Sequence, residues 1–469
     1  MKRLRAIRPL EWVFAYWRNI SAPGLFVSSF VLLIALGTAG LMWLPGLYTG
    51  ERLRFVDALF TITSATCVTG LSVVDTASYF TFWGQAWILL FIQLGGLGLV
   101  SLSSLIIGML GRRLSLRSEM ITAPPTELTA TRDLRGVVIA VAKFTFAIEA
   151  VGALALWLAF ARHVGPIRAV WPAIFHAVSA FCNAGFSTFT GNMTVFSGDP
   201  AVLIFVSLLI VIGGFGYLSS EELLRWWRAR DQPGRRRLST HTWAAAVTTL
   251  ALLGAGFLLF LLFEWDGVLQ DLAFVDKLVN AWFMSVTPRT AGFNSVPYEA
   301  VGNDTAYLTI LLMVVGGSPG STAGGIKTTA FAVLVALAFQ RMRGRRNAVI
   351  HHRSIPDGTV ERTVSLALLA FAVMTAAIFW LNFTETGNAD VEPARASFLP
   401  LFFEVVSAFA TAGLTMDETR WLTDLGKLTI VALMFVGRVG PLSFFAAISF
   451  RSRGAVRDVR PAREDLIVG

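Results

Sequence analysis

Four copies of one short pattern constrain this chain more than anything else in it. The first reads Ser64-Ala65-Thr66-Cys67-Val68-Thr69-Gly70-Leu71 and the second Ser179-Ala180-Phe181-Cys182-Asn183-Ala184-Gly185-Phe186. The third, Ser285-Val286-Thr287-Pro288-Arg289-Thr290-Ala291-Gly292-Phe293, is one residue longer. The fourth is Ser407-Ala408-Phe409-Ala410-Thr411-Ala412-Gly413-Leu414. Each copy follows a short half-apolar segment and lies between two long apolar ones. The triplets are Leu25 to Leu47, Phe55 to Thr66 and Trp87 to Leu110; Val137 to Ala161, Pro172 to Phe181 and Val202 to Leu224; Thr242 to Phe263, Phe274 to Val286 and Tyr307 to Phe339; and Thr363 to Phe383, Phe398 to Phe409 and Leu428 to Phe450. The long segments suit a hydrocarbon layer of ~30 Å, and the short ones do not. Internal repetition at this scale is read before any other signal. It predicts an all-α integral membrane fold: four span–re-entrant pore helix–span repeats around one central pore, pseudo-fourfold. The divisions are an N-terminal arm 1–22, repeats 23–111, 112–228, 229–345 and 346–450, and a tail 451–469.

Composition agrees with the membrane class. Of 469 residues, 55% are hydrophobic and 15% charged, and mean hydropathy is +0.64. No polar stretch is long enough to fold as a separate soluble domain. The formal charge of +9 is spread over short loops, a distribution that fits membrane topology and argues against nucleic acid as a partner. The basic segments are the N-terminal arm, Arg112 to Arg135, Arg225 to Arg237, Arg341 to Arg362 and the tail from Arg451. All five fall on one side if each repeat is span, re-entrant helix, span. The opposite loops carry Glu264, Asp266, Asp271, Asp276, Glu385, Asp390 and Glu392. The positive-inside rule then places both termini in the cytoplasm and opens the motifs outward, in the cell membrane with lipid around the spans. The N-terminus lacks a cleavable signal pattern. Cys67 and Cys182 lack metal-like spacing and read as small residues in tight turns.

A cation stripped of water needs several oxygen ligands, and four loops exposing successive backbone carbonyls supply them. Each short helix ends just before its motif, where its dipole places about half a negative charge. Glycine permits backbone angles closed to other residues. The expected ion-binding residues are therefore Val68, Thr69 and Gly70; Asn183, Ala184 and Gly185; Thr290, Ala291 and Gly292; and Thr411, Ala412 and Gly413. No Asp or Glu lies between the Ser and Gly of any copy, so carbonyls rather than acidic side chains would select the ion. Arg289 would repel a cation on the axis and is expected to turn away, onto carbonyls or an acid.

A second recurrence lies in the second long segment of each repeat: Gly95-Gly96-Leu97-Gly98, Gly213-Gly214-Phe215-Gly216, Gly316-Gly317-Ser318-Pro319-Gly320 and Gly437-Arg438-Val439-Gly440. With no soluble strand before them, these are not dinucleotide fingerprints. Close helix packing or bends explain them. The third copy extends through Ser321, Thr322, Ala323, Gly324 and Gly325, a run in which a continuous helix cannot persist. Its freed backbone groups need protein or a wet cavity. A mobile gate below the filter is the expectation for this run. Arg438, at membrane depth, needs a cavity or a partner and would raise a barrier to cations if it faced the pore. Lys327 is expected to extend toward the cytoplasmic side, and Glu149 to anchor a neighbouring helix. His351-His352 lies in an Arg-rich loop without further metal ligands nearby in sequence.

These motifs resemble the Trk, Ktr and HKT superfamily of potassium transporters, in particular KtrB-type membrane subunits. The pieces that carry the resemblance are Val68-Thr69-Gly70-Leu71 with Val73-Val74-Asp75-Thr76; Gln93-Leu94-Gly95-Gly96-Leu97-Gly98; Asn183-Ala184-Gly185-Phe186; Thr287-Pro288-Arg289-Thr290-Ala291-Gly292-Phe293-Asn294; and Gly316 through Thr328. The resemblance extends from about Pro23 to Phe450. It implies K+ as the transported ion, with Na+ as a second or activating ion. It implies Gly70, Gly185, Gly292 and Gly413 as the filter glycines, the third-repeat loop as the intramembrane gate and Arg438 as a pore-facing arginine. It also implies a homodimer on a KtrA-like cytosolic ring of nucleotide-binding regulatory subunits, and no organic cofactor in this chain.

The alternative is an ion-coupled secondary transporter of another small solute built on broken helices. Four repeats of parallel topology argue against it. No catalytic constellation lies on one membrane face, which argues against an enzyme. No span carries the arginine ladder of a voltage sensor.

Overall fold

The computed structural model describes residues 22–98, 134–229, 238–345, 347–386 and 391–440. The N-terminal arm, nearly all of the Arg112 to Arg135 loop, the end of the last apolar segment and the tail lie outside them. In the first sequence repeat are α1 (Ala22–Trp43), α2 (Phe55–Cys67) and α3 (Phe82–Gly98). The second holds α4 (Leu134–Val164), α5 (Val170–Phe181), α6 (Pro200–Phe215) and α7 (Tyr217–Arg228). The third holds α8 (Thr240–Glu264), α9 (Phe274–Val286), α10 (Asn303–Val314) and α11 (Thr328–Met342). A small antiparallel hairpin, β1 (Val349–Ile350) and β2 (Arg353–Ser354), precedes α12 (Asp357–Thr386), α13 (Val391–Ala410) and α14 (Asp424–Val439).

Helix starts follow local chemistry. Asp199 caps α6 by accepting the N–H groups of Ala201 and Val202 at 3.0 and 3.4 Å. Pro200 fills the first position, where its missing N–H costs nothing. Ser239 and Thr423 cap α8 and α14, accepting from Thr242 at 3.2 Å and Gly426 at 3.1 Å.

The polarity of the molecule is reversed from that of a water-soluble protein. Large apolar side chains face outward, among them Leu262 at 71% and Phe379 at 75% exposure, while many Ser and Thr hydroxyls are buried. A surface of that kind is solvated by lipid. Among the described residues, Val138–Val164, Thr240–Glu264 and Asp357–Thr386 are long and apolar enough to cross a membrane, and α6 with α7 makes a fourth if counted as one bent span.

The four short helices are arranged in a closed succession. α2 packs on α1 and on α14, α9 on α8 and α6, and α13 on α12, α14 and α10. α5 packs on α4 and α6, while Gly96 of α3 lies against Cys182 at its end. Each short helix thus contacts an element of its own repeat and one of the repeat before it.

Two expectations need correction. The segment Val202 to Leu224 is not one helix: it breaks at Gly216 (φ 87°, ψ 150°), and α6 and α7 meet at 100°. Glycine is required at the bend, because its φ is positive and the Gly320 peptide lies against it. A Cβ built on Gly216 would stand 3.0 Å from Gly320 C and O. The short helix expected at Phe398 to Phe409 is longer, Val391–Ala410, and carries Pro400 inside it.

Candidate functional site

Each short helix ends in the same unusual backbone. Val68, Asn183, Thr290 and Thr411 have φ of 55°, 61°, 70° and 52°, a left-handed conformation that costs a side chain-bearing residue roughly 1–2 kcal/mol. Two positions later, Gly70, Gly185, Gly292 and Gly413 have φ of 100°, 72°, 75° and 82°. Between them, the N–H groups of Thr69, Ala184 and Ala412 are donated to Ser64 O, Ser179 O and Ser407 O at 2.8, 2.7 and 2.7 Å.

In the third loop the equivalent N–H, that of Ala291, goes to Thr287 O at 3.0 Å. The residue matching Ser64 is therefore Thr287, not Ser285. Its hydroxyl donates to Phe293 O, as Ser179 donates to Phe186 O at 2.8 Å. Ser285 instead donates to Leu253 O on α8 at 2.6 Å.

The four glycines close on one another. A Cβ on Gly70 would lie 2.7 Å from Ala184 O, one on Gly185 2.9 Å from Ala291 O, one on Gly292 3.0 Å from Ala412 O, and one on Gly413 1.9 Å from Thr69 O. The succession returns to its start, so the structure brings the glycines of all four copies, with Thr69, Ala184, Ala291 and Ala412 beside them, into one ring. The ring forms the floor of a cavity of about 380 Å³, whose walls include Asp75, Glu299 and Asp417. Asp417 pairs with Arg420 at 2.5 Å. These acids were missed in the sequence because they lie beyond the glycines. Asp75 stood within a quoted motif, but only as part of a likeness.

On the other side of the ring lies the run Gly316 to Gly325, almost all of it buried. A Cβ on Gly324 would meet Thr411 Oγ1 at 2.0 Å, and one on Gly316 would meet Thr290 Cγ2 at 3.2 Å. Thr322 donates its hydroxyl to Phe181 O at 3.1 Å. The N–H groups of Ser318 and Thr322 go to Gly214 O and Gly213 O at 2.9 and 3.3 Å. Three carbonyls of the run, those of Gly316, Thr322 and Ala323, meet cations. Arg289 donates to Gly316 O at 3.1 Å and to Thr249 Oγ1 at 3.3 Å. Lys327 Nζ donates to Ala323 O at 2.5 Å, so it folds back on the loop rather than extending toward the cytoplasmic side. Arg438 donates to Thr322 O and, at 3.2 Å, to Gly95 O on α3. Buried carbonyls without helical partners require such donors.

Glu149 on α4 accepts from Gln93 Nε2 on α3 at 3.3 Å, and Cys182 Sγ lies 3.9 Å from its other oxygen. It therefore ties two helices and the base of the second loop.

Four glycine turns thus close on one another inside a helical fold with a lipid-facing surface. Residues 16–453 match the TrkH family, described as cation transport protein, and the chain belongs to that family. It is 34% identical over 454 residues to the potassium/sodium uptake protein NtpJ of Enterococcus hirae, covering 96% of this chain and 98% of that one. It is 35% identical over 443 residues to the Ktr system potassium uptake protein B of Bacillus subtilis, covering 94% and 96%. The crystal structure of the potassium transporter TrkH from Vibrio parahaemolyticus matches with TM-score 0.73, over 91% of this chain and 85% of that one. At 18% identity, that match speaks to the fold alone.

Proposed function

We propose that this protein carries potassium ions into the cell through the ring of glycine loops, as the membrane subunit of a Ktr-like system. The observation that carries the proposal is the closed contact of Gly70, Gly185, Gly292 and Gly413, all at positive φ. Carbonyls in such turns replace the water shell of a cation. The acidic cavity above collects cations, and the ends of the four short helices add negative potential from below. K+ is the transported ion on the strength of the relatives' names, and Na+ is a second ion on the strength of one of them. No step needs an organic cofactor.

The loop Gly316 to Gly325 serves as the gate, with Arg438 as its latch. Its position against Thr290 and Thr411 supports this reading. The four repeats stand around one pore, pseudo-fourfold, with both termini in the cytoplasm. The working assembly is a homodimer on a KtrA-like cytosolic nucleotide-binding ring, a reading supported by relatives named as parts of a Ktr system.

The test is K+ and Na+ uptake in a cell deficient in K+ uptake. Wild type restores K+ uptake, and Gly292→Ser lowers its preference for K+ over Na+. Absence of uptake by wild type, or an unaltered preference in the variant, refutes the assignment. Deleting the gate loop raises flux, and unchanged flux with unchanged regulation would remove its role.

A further inference from the structure

Two of the four loops are pinned from behind, and they face each other across the ring. In the second repeat His176, wholly buried on α5, stands three residues before Ser179. Its Nε2 lies 3.0 Å from the hydroxyl of Ser187, two residues past Gly185. Its Nδ1 lies 2.7 Å from Pro172 O, so that nitrogen carries a proton. Phe189 donates its N–H to Ser187 Oγ at 3.0 Å and stacks its ring on the imidazole.

Glu404, also wholly buried, holds the matching place in the fourth repeat, three residues before Ser407. Thr415, two residues past Gly413, donates its hydroxyl to Glu404. Thr419 donates to the second oxygen at 2.7 Å, and the Asp417 N–H goes to Thr415 Oγ1 at 2.9 Å. The matching residues of the other repeats make no such link. Thr61 donates within its own helix, to Asp57 O at 2.8 Å, and Met284 has no group to offer.

Gly185 and Gly413 are not neighbours in the ring, so the loops tied to a side chain deeper in their own helix occupy one diagonal, while the third loop, on the other, has only the tie from Thr287 at its helix end. We infer that Glu404 with Thr415, and His176 with Ser187, are positioning residues that hold this diagonal open and thereby favour K+ over the smaller Na+. The inference rests on reading the ring as the filter. A smaller cation is satisfied only when its oxygen ligands move inward. Loops tied at both arms to their own buried helices resist that movement.

The experiment measures K+ and Na+ uptake for Glu404→Leu, Glu404→Gln and Thr415→Val. Thr61→Val, from an unpinned repeat, and Gly292→Ser are run alongside. Glu404→Leu and Thr415→Val are each expected to lower the K+/Na+ ratio by about fivefold, the scale of one lost hydrogen bond. Combining them lowers it no further, because they remove the same link. Glu404→Gln keeps an acceptor and restores most of the ratio, and Thr61→Val stays at the wild-type value. If Glu404→Leu fails to fold, the nearly isosteric Thr415→Val decides the matter. An unchanged ratio in Thr415→Val, or an equal loss in Thr61→Val, overturns the inference. When Gly292→Ser shifts the ratio and Thr415→Val does not, only the pinning fails. When neither shifts it, the filter reading fails as well.

Discussion

Asp57 and Lys427, separated by 370 positions in the chain, meet at 2.7 Å in a buried ion pair. Asp57 is on α2 and Lys427 on α14, so the bond joins the first sequence repeat to the last and closes the succession of short helices. Arg54 adds a bond to Asp57 at 3.1 Å and one to Asp424 at 3.0 Å. Lys427→Met should destabilise the protein by up to about 3 kcal/mol, the full cost of a broken buried pair being softened by Arg54, which stays beside the Asp57 carboxylate. Replacing both, with Asp57→Leu added, should cost less than either single change. Thermal midpoints in detergent test this, and additive losses would show that the pair is not coupled.

Steric room separates the glycines that must stay from those that need not. Gly413→Ala would put a methyl group 1.9 Å from Thr69 O, at a φ of 82°. Uptake should fall to background while the protein still reaches the membrane. Gly254, inside α8, has no atom within 4 Å of a built Cβ. Gly254→Ala should keep full uptake and gain up to about 1 kcal/mol of stability from helix propensity.

Arg438 bridges the loop at Thr322 and α3 at Gly95. Arg438→Ala removes a buried cation and releases both carbonyls. The maximal K+ uptake rate should rise, with a tenfold rise corresponding to a barrier lowered by ~1.4 kcal/mol. Arg438→Lys, reaching one carbonyl but not two, should fall between. A lower rate at wild-type protein levels would contradict the latch.

Asp199 offers a test by pH outside the spans. Burial works to raise its carboxyl, but hydrogen bonds from His163 and from the Val202 and Ala201 N–H groups outweigh it, and the net shift is downward. A lowered folded value means that the stabilisation is complete above the ordinary carboxylate range and disappears as pH falls through the folded value. Asp199→Ala should cost about 1 kcal/mol at neutral pH. The difference in thermal midpoint from wild type should be full at about pH 5 and shrink below it. A difference that grows with acid would reverse the assignment.

The positions of the short helices were legible because their apolar runs stop at the motif. The run Phe274 to Val286 is one helix with those bounds. The turn of Arg289 away from the glycine ring, onto Gly316 O, was also legible, because a cation facing other cations is unfavourable. The register of the third loop was not. Ser285 and Thr287 are both hydroxyl residues, and only the backbone bond from Ala291 shows which one matches Ser64. A bend among Gly213-Gly214-Phe215-Gly216 was one of the two readings the sequence allowed, but its place and its angle were not legible, because Gly320, which lies against Gly216, is distant in sequence. Asp57 with Lys427 and Glu404 with Thr415 were invisible for the same reason: each partner is ordinary until the fold supplies the other.

The Gly216 break also makes a lever of α7. At one end, Tyr217 gives its N–H to Gly320 O at 3.3 Å. Further along, Glu222 accepts the Ser239 N–H at 2.6 Å and the hydroxyls of Ser239 and Thr242, clasping α7 to the start of α8. The helix that joins the two contacts is 12 residues long. On the function proposed above, α7 thereby ties the start of α8 to the gate loop by a route that contains none of the four ring glycines.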